Sequence, residues 1–536
     1  MANVTKEVVA PNTTPAGVVR TSGYRDTARE VPKHLEIEAP HAIHRSPAYQ
    51  QGSAAQLAYS HNATRWIEAV AAVFCLALCW RAVSWAMQPG LFMMLDEISN
   101  LHHFLNGVSW SGITLLPQFA YNDRPVGFIL ERWLFDAFGF DYGPQVVGML
   151  LVHLANLVLA FSIFKRLGVS VLLSVTGLCV FGTLSTTAET VTYIGAIFDV
   201  LCLFFILASI VAFMSQKRGA ALLSAILFFL ALRTKEFAIV LPLVLLGMLY
   251  CASPIPRPTQ VLKRLWIQLA IWAIFLYKYA VLIHRMIPAT APGNPYRIHA
   301  NFKTVITSLT YYIALIFHAD APRQKSIILI FTVAIAVYAL WRRNRWTLWA
   351  LAAFVLTILP VSIIPGVRYP FYVYAPQLFL LLAFALTIDD ALKLSINDAR
   401  NRWVAATAIA ALILTSVVSF QRSPYFTNRV NWAVGVRKIS AVTANDASKL
   451  FSGIAPDSML FISSGKDAPW LLLPGPCDFL NVPRRSLSFT CVLGGPDDIH
   501  KQYDAHRGPK HFLTYDSDGS LHMPEVASAL TSWSIY

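Results

Sequence analysis

The sequence predicts an all-α polytopic membrane protein with a small C-terminal α/β soluble domain, and three observations carry that class. Of the 536 residues, 56% are hydrophobic and only 13% charged, with mean hydropathy +0.52, whereas about one quarter of a soluble domain is charged. Apolar windows close to the ~20 residues a helix needs to cross a bilayer recur about eleven times. The basic residues behind the formal net charge of +14 fall in short clusters between those windows, as cytoplasmic loops do, rather than forming a nucleic-acid-binding surface.

Residues 1–63 are polar, Pro-containing and without periodicity, and are read as a disordered cytoplasmic tail without a secretory signal. Asn3, Asn12 and Asn62 stand in N-x-S/T sequons, but they precede the first span and do not argue for a secretory location. The membrane domain is read over 64–420, with windows near 66–93, 144–164, 169–187, 192–214, 219–233, 237–252, 265–284, 326–341, 346–364, 371–388 and 403–420. Lys165-Arg166, Lys217-Arg218, Arg257/Lys263/Arg264, Arg342-Arg343/Arg345 and Lys393/Arg400/Arg402 then share one side, the cytoplasmic one. The opposite face collects Asp96, Glu97, Asn122-Asp123-Arg124-Pro125, Glu189, Lys235-Glu236, the 285–325 loop, Arg368 and the C-terminal tail.

The first window closes on Asp96 and Glu97. A carboxylate where a helix leaves the lipid meets both a water-borne hydroxyl and the head of a lipid-borne molecule, which makes Asp96 the candidate base. Beyond it, Ile98, Leu101, Leu105 and Val108 keep helical spacing, as in an interfacial helix. His102 and His103 are weak metal candidates, because adjacent histidines on a helix point in different directions. His153 and Asn156, inside the second span, make an interhelical hydrogen bond or support the site.

Glu189 falls in an outer turn over 185–191. Asp199 follows about two helical turns below the surface, either as a site residue or as the partner of a base. Arg233-Thr234-Lys235-Glu236 interrupts the apolar runs 219–233 and 237–252, which are read as two crossings or as a hairpin that only partly crosses. The alternatives there are a capped loop with a weak ion pair and a lysine suited to phosphate. Residues 305–317 are too short to span comfortably and read as a lid or lipid-binding helix. Arg368, beside Tyr369, is a snorkelling cation in an aromatic belt or a grip on the phosphate of a lipid-linked molecule.

Residues 421–536 have the composition of a soluble domain, with a helix near 439–454 and strands near 459–462, 487–492 and 511–515. Cys477 and Cys491 stand alone there, so a disulfide fits an oxidising compartment without the sequence supplying its geometry. No P-loop, GxGxxG, CxxC pair or GxSxG elbow is present, which removes support for a soluble nucleotide-sugar site.

With these residues in order, the chain resembles the GT-C superfamily of polytopic glycosyltransferases, nearest to the dolichyl-phosphate-mannose protein mannosyltransferase type and its bacterial relatives, over about residues 66–390. The likeness rests on Asp96-Glu97, Arg124-Pro125, His153/Asn156, Glu189 and Val191 leading to Asp199, Lys235-Glu236 before Pro242, and Arg368-Tyr369. In relatives with tetratricopeptide repeats a His-Pro pair tends to precede the glutamate and an Arg the buried Asp. Here those places hold Ser185-Thr186 and Ala196, and the repeats are absent.

The resemblance implies an enzyme moving a sugar from a polyprenyl-phosphate-linked donor to a hydroxyl of a lipid, glycan or protein acceptor, with inversion. Asp96 takes the acceptor proton, Glu97 and Arg124 position acceptor or donor, and Lys235 and Arg368 stabilise the departing lipid phosphate. Glu189, Asp199, Glu236 and Tyr369 complete the substrate-binding set. Some members use a divalent metal here and others do not, and the sequence does not decide. The expected partners are the donor, the acceptor and membrane lipid, not nucleic acid. The expected location is a bacterial inner membrane with the tail in the periplasm, the endoplasmic reticulum membrane being second. A carrier or flippase, with Asp199 and Lys235 lining a path, is the alternative.

Overall fold

The computed structural model describes residues 69–70, 72–93, 97–98, 114–118, 123–215, 217, 219–252, 257–286, 297–318, 322–395, 398–450, 454, 458–464, 490–493, 503, 505, 507–516, 518 and 520–523. The chain divides into 1–62 and 63–536; the first unit, and with it the expected cytoplasmic tail, lies outside the described residues. So do Asp96, the histidine pair and Cys477.

Each of the eleven predicted windows contains a helix. In chain order these are α1 (Ala72–Met87), then, after a short amphipathic helix α2 (Pro125–Phe138), α3 (Tyr142–Arg166), the bent pair α4 (Val171–Thr183) and α5 (Ser185–Thr192), α6 (Ile197–Phe213), α7 (Ala220–Leu232) and α8 (Leu241–Cys251). There follow α9 (Pro258–Met286), α10 (Phe302–Ile316), α11 (Pro322–Arg342), α12 (Arg345–Ser362), α13 (Tyr374–Ser395) and α14 (Ala399–Gln421). Among the described residues seven helices are long and apolar enough to cross a membrane, or eight with the bent pair as one. The windows at 66–93, 219–233 and 237–252 hold helices of only 16, 13 and 16 residues, counting the 3-10 turn Glu236–Val240 before α8. The chain is an integral membrane protein, its described apolar helices being partly of spanning length and partly shorter.

Local chemistry places the helix ends. The side chains of Asn301, Asn344 and Asp398 cap α10, α12 and α14 by accepting from Thr304, Thr347 and Arg400 backbone N–H groups, which satisfies donors that a helix start leaves open. Lys165 and Arg166 stand in the last turn of α3, where cations suit the helix dipole. The break between α4 and α5 bends by 58°. It is tied to α13 by Gln377, which accepts from Thr186 Oγ1 at 2.7 Å and donates to Thr187 Oγ1 at 2.5 Å. The buried side chains of α6 and α13 form the middle of one hydrophobic core, and α9, α11 and α14 present mostly exposed apolar surface, as helices facing lipid do.

Two features differ from expectation. The segment between the first two spans, expected as a loop, contains α2, which starts with Pro125 at its first turn, a position where proline loses no hydrogen bond. Gly127 lets α2 lie directly on α6, since a Cβ there would meet the Phe198 ring at 2.2 Å. The tail begins with a 27-residue helix, α15 (Pro424–Leu450), longer than the helix predicted near 439–454. Phe426 packs with Ala82 of α1 and Ala188 of α5, so α15 lies against the bundle.

Beyond it, β1 (Met459–Ser464), β2 (Thr490–Leu493), β3 (Lys510–Tyr515) and β4 (Leu521–His522) form a sheet in the order β2-β1-β3-β4, parallel except for β4. Leu460, Phe461, Phe512, Leu513 and Leu521 are buried, on both faces of the sheet, since neighbouring residues of a strand point to opposite sides. Cys491 lies in β2.

Candidate active site

The turn between α7 and α8 is the centre of the polar chemistry. Arg233 closes α7, and its carbonyl accepts from Val126 N at 3.2 Å, holding the start of α2 against it. The Arg233 guanidinium, fully buried, grips Asp123 with both prongs at 2.6 Å and also donates to Leu116 O at 3.2 Å. Lys278 of α9 reaches the same carboxylate at 2.6 Å. Burial pushes the Asp123 carboxyl up, but the hydrogen bonds from Arg233, Lys278 and Gln118 N outweigh it and hold it below the usual carboxylate range.

The next residues alternate in charge. Arg124 binds Glu236 with two prongs, Nε to Oε2 at 2.9 Å and Nη2 to Oε1, and its guanidinium lies 5.5 Å from the Phe198 ring centre. Lys235 Nζ sits 2.5 Å from Asp199 Oδ2, with both side chains buried. Asp199 lies in the first turn of α6, because a 3-10 turn, Ile194–Ala196, precedes the helix. The two-turn depth expected from sequence is therefore shorter along the helix, although the residue is buried.

Among the described residues four cations, Arg124, Arg233, Lys235 and Lys278, thus face three carboxylates, Asp123, Asp199 and Glu236.

An aromatic shelf borders the cluster. Lys235 Nζ is 5.2 Å from the ring centres of both Phe371 and Tyr372. Phe371 stacks on Tyr369 at 4.9 Å and on Tyr193 at 5.8 Å. Arg368, three residues before Phe371, is exposed and lies 4.6 Å over Tyr311 of α10. Among the described residues no acid pairs with it. Helix α10, expected as a surface lid, therefore meets the shelf through this contact.

Glu97 and Glu189 are held elsewhere. Glu97 is fully buried and receives Arg437 of α15 on both oxygens, at 2.8 and 2.9 Å, plus Ile194 N at 2.6 Å. Glu189 pairs with Arg429 at 2.9 Å. Of the predicted residues, then, Arg124, Asp199, Lys235 and Glu236 come together, Arg368 and Tyr369 adjoin them, and Glu97 and Glu189 are taken by the tail helix.

His153 Nδ1 bonds Tyr374 Oη at 2.7 Å and Asn156 donates to the same oxygen at 3.1 Å, the interhelical option. Sequence reading did not pair Asp123 with Arg233 or assign Lys278, Arg429 and Arg437; a charged residue inside a strongly apolar stretch is the signal that marks Lys278. Glu97, with a guanidinium across both oxygens, does not fit a metal ligand. Among the described residues no group of three or more His, Cys, Asp or Glu is placed to hold an ion.

No protein-family model and no curated protein matches the chain. Two solved structures of ArnT from Cupriavidus metallidurans are similar to it, each over 88% of this chain and 95% of that one: the form bound to undecaprenyl phosphate, at 14% identity and TM-score 0.42, and the apo state, at 11% identity and TM-score 0.46.

Proposed function

We propose that the chain is a GT-C-type glycosyltransferase that moves a sugar from a polyprenyl-phosphate donor to an acceptor hydroxyl at the extracytoplasmic end of the bundle, with inversion. One observation carries the reading. Among the described residues a dense group of cations and carboxylates stands at the end of an apolar bundle, bordered by an aromatic shelf whose neighbour in the chain, Arg368, is exposed and has no described acid partner. A lipid phosphate pairs with such a cation while its apolar tail lies along the helices, and the shelf suits a sugar ring.

In this reading Arg368 meets the phosphate with its forked donors. Lys235, already matched by Asp199, adds charge from behind. Arg124 and Glu236 fix the start of α2. As the bond from the anomeric carbon to the lipid phosphate breaks, negative charge grows on the phosphate, and preset cations stabilise that charge without reorganising. Asp96 takes the proton of the attacking hydroxyl, a contribution of about 10²–10⁴ in rate. The carrier alternative is weaker, because Asp199 and Lys235 are closed on each other rather than lining an open path.

The test is sugar transfer from a polyprenyl-phosphate-sugar by purified protein. Asp96→Asn abolishes transfer while the protein still inserts and folds; retained transfer removes Asp96 as base, and substrate crossing vesicles without a new glycosidic bond supports the carrier.

A further inference from the structure

Helix α10 carries two buried hydroxyls that have no hydrogen-bond partner among the described residues, Ser308 Oγ and Tyr312 Oη. They stand one helical turn apart, so their side chains share a face. Each residue is 1% exposed, and that face is otherwise apolar, with Ile313, Ala314 and Ile316 also buried. The opposite side of the helix is open, Phe302 and Ile306 being exposed. A buried donor without an acceptor loses its hydration and gains nothing in exchange. Alanine and phenylalanine would fill nearly the same space without that loss.

The surroundings of the pair point to a ligand. The exposed Arg368 guanidinium lies 4.6 Å over the Tyr311 ring, and that ring meets Tyr312 edge-on at 5.4 Å. Arg368 is also close enough for its charge to act on the Tyr312 hydroxyl. Helix α10 packs on the 3-10 turn Pro370–Val373, whose Phe371 and Tyr372 rings underlie Lys235. A cation without an acid among the described residues and two hydroxyls without acceptors share one complement, an anion with several acceptor oxygens.

We propose that Ser308 and Tyr312 are substrate-binding residues, two hydroxyl donors to the phosphate of the lipid-linked sugar, which enters between α10 and the turn that follows Arg368. This rests on the function proposed above and adds α10 to its phosphate site. Both oxygens are enclosed in this structure, so α10 shifts outward to admit the phosphate, and Arg368 exchanges the Tyr311 ring for it. The two hydroxyls then complete a set in which Arg368 supplies charge and the neutral donors supply direction. As the anomeric bond breaks and charge grows on the phosphate, these hydrogen bonds strengthen with it.

The test separates a hydroxyl kept for the fold from one kept for a ligand. Full-length protein in detergent is titrated with decaprenyl phosphate by calorimetry, and each variant is melted without ligand. Tyr312→Phe is expected to raise the Kd about tenfold or more while its thermal midpoint stays at or above that of the wild type. Ser308→Ala moves both quantities in the same directions by less. Tyr338→Phe gives the opposite pattern, because that hydroxyl, on α11, already donates to Asp390 at 3.0 Å: the midpoint falls and the Kd holds. Inorganic phosphate, lacking the apolar tail, is expected to bind at least about a hundredfold more weakly than the lipid.

A Kd for Tyr312→Phe within about twofold of the wild type overturns the proposal, since one lost hydrogen bond to a charged group is worth more than that. A midpoint that falls as far in Tyr312→Phe as in Tyr338→Phe overturns it as well, because the hydroxyl then has a structural partner. Equal affinity for inorganic phosphate overturns the lipid as the source of the anion. Wild-type protein that binds no decaprenyl phosphate overturns both this proposal and the function it rests on, whereas wild type and Tyr312→Phe that bind it equally well overturn this proposal alone.

Discussion

Two groups of buried charge among the described residues are built differently. Around Glu97 and Arg437 one acid meets one base across both of its oxygens, and both side chains are closed to solvent. Around Asp123, Asp199 and Glu236 the group is open on one side: Glu236 is 46% exposed, and among the described residues no acid pairs with the exposed Arg368. A matched pair locks one segment to another. A group open on one side admits an anion from outside. The difference teaches that depth alone does not mark a working charge in a membrane protein; access from outside does.

Replacement of Asp123 breaks this comparison most severely, because it strands Arg233 and Lys278 together. Asp123→Ala is expected to lower stability by more than the ~3–5 kcal/mol typical of one broken buried pair, read as a fall in the thermal midpoint in detergent. Glu97→Gln strands only Arg437, and its expected loss is ~3–5 kcal/mol. If Glu97→Gln proved the more damaging of the two, the ranking of the regions would be reversed.

A third prediction concerns the joint between them. His318 stacks on Phe420 at 4.5 Å, and its Nε2 lies 2.8 Å from Ser185 Oγ in the α4–α5 bend. Burial, with Arg429 adding to it, holds its pKa down at about 4. The unfolded chain takes up a proton near pH ~6.5 that the folded protein refuses until about 4. The folded state is then favoured in full above pH ~6.5 and loses at most ~3 kcal/mol as pH falls through this window. His318→Gln should flatten that part of the curve of stability against pH; an unchanged slope would remove His318 as its source.

The smallest effect sharpens the contrast best. Arg368→Ala should leave stability within ~0.5 kcal/mol, yet weaken binding of decaprenyl phosphate by ~1.5–3 kcal/mol, the worth of a charge-assisted hydrogen bond. Calorimetric titration with that lipid, beside a thermal melt, separates the two quantities.

The helical class and the eleven apolar windows were legible because lipid imposes continuous apolar runs and closed backbone hydrogen bonding. Span lengths were less so: the interruption at 233–236 left two crossings and a partly crossing hairpin both open for the segments that hold α7 and α8, because hydropathy alone does not report where a helix stops. Asp199, Lys235 and Glu236 were found as charges out of place in apolar sequence, which also suggested that Asp199 has a basic partner, and Arg124 through the Arg-Pro pair of the resemblance. Their pairing was hidden, as it joins positions more than 100 residues apart for Arg124 and Glu236. Arg429 and Arg437 escaped notice for a related reason. In the polar 421–536 segment an arginine is unremarkable, and only the packing of α15 on the bundle gives it an acid.

The most direct measurement is native mass spectrometry of the protein extracted with its own membrane lipid. The account predicts a co-purifying sugar-phosphate polyprenol in the wild type, depleted when Arg368 is replaced by alanine. A wild-type protein carrying no such lipid, or carrying it equally after Arg368→Ala, would contradict it.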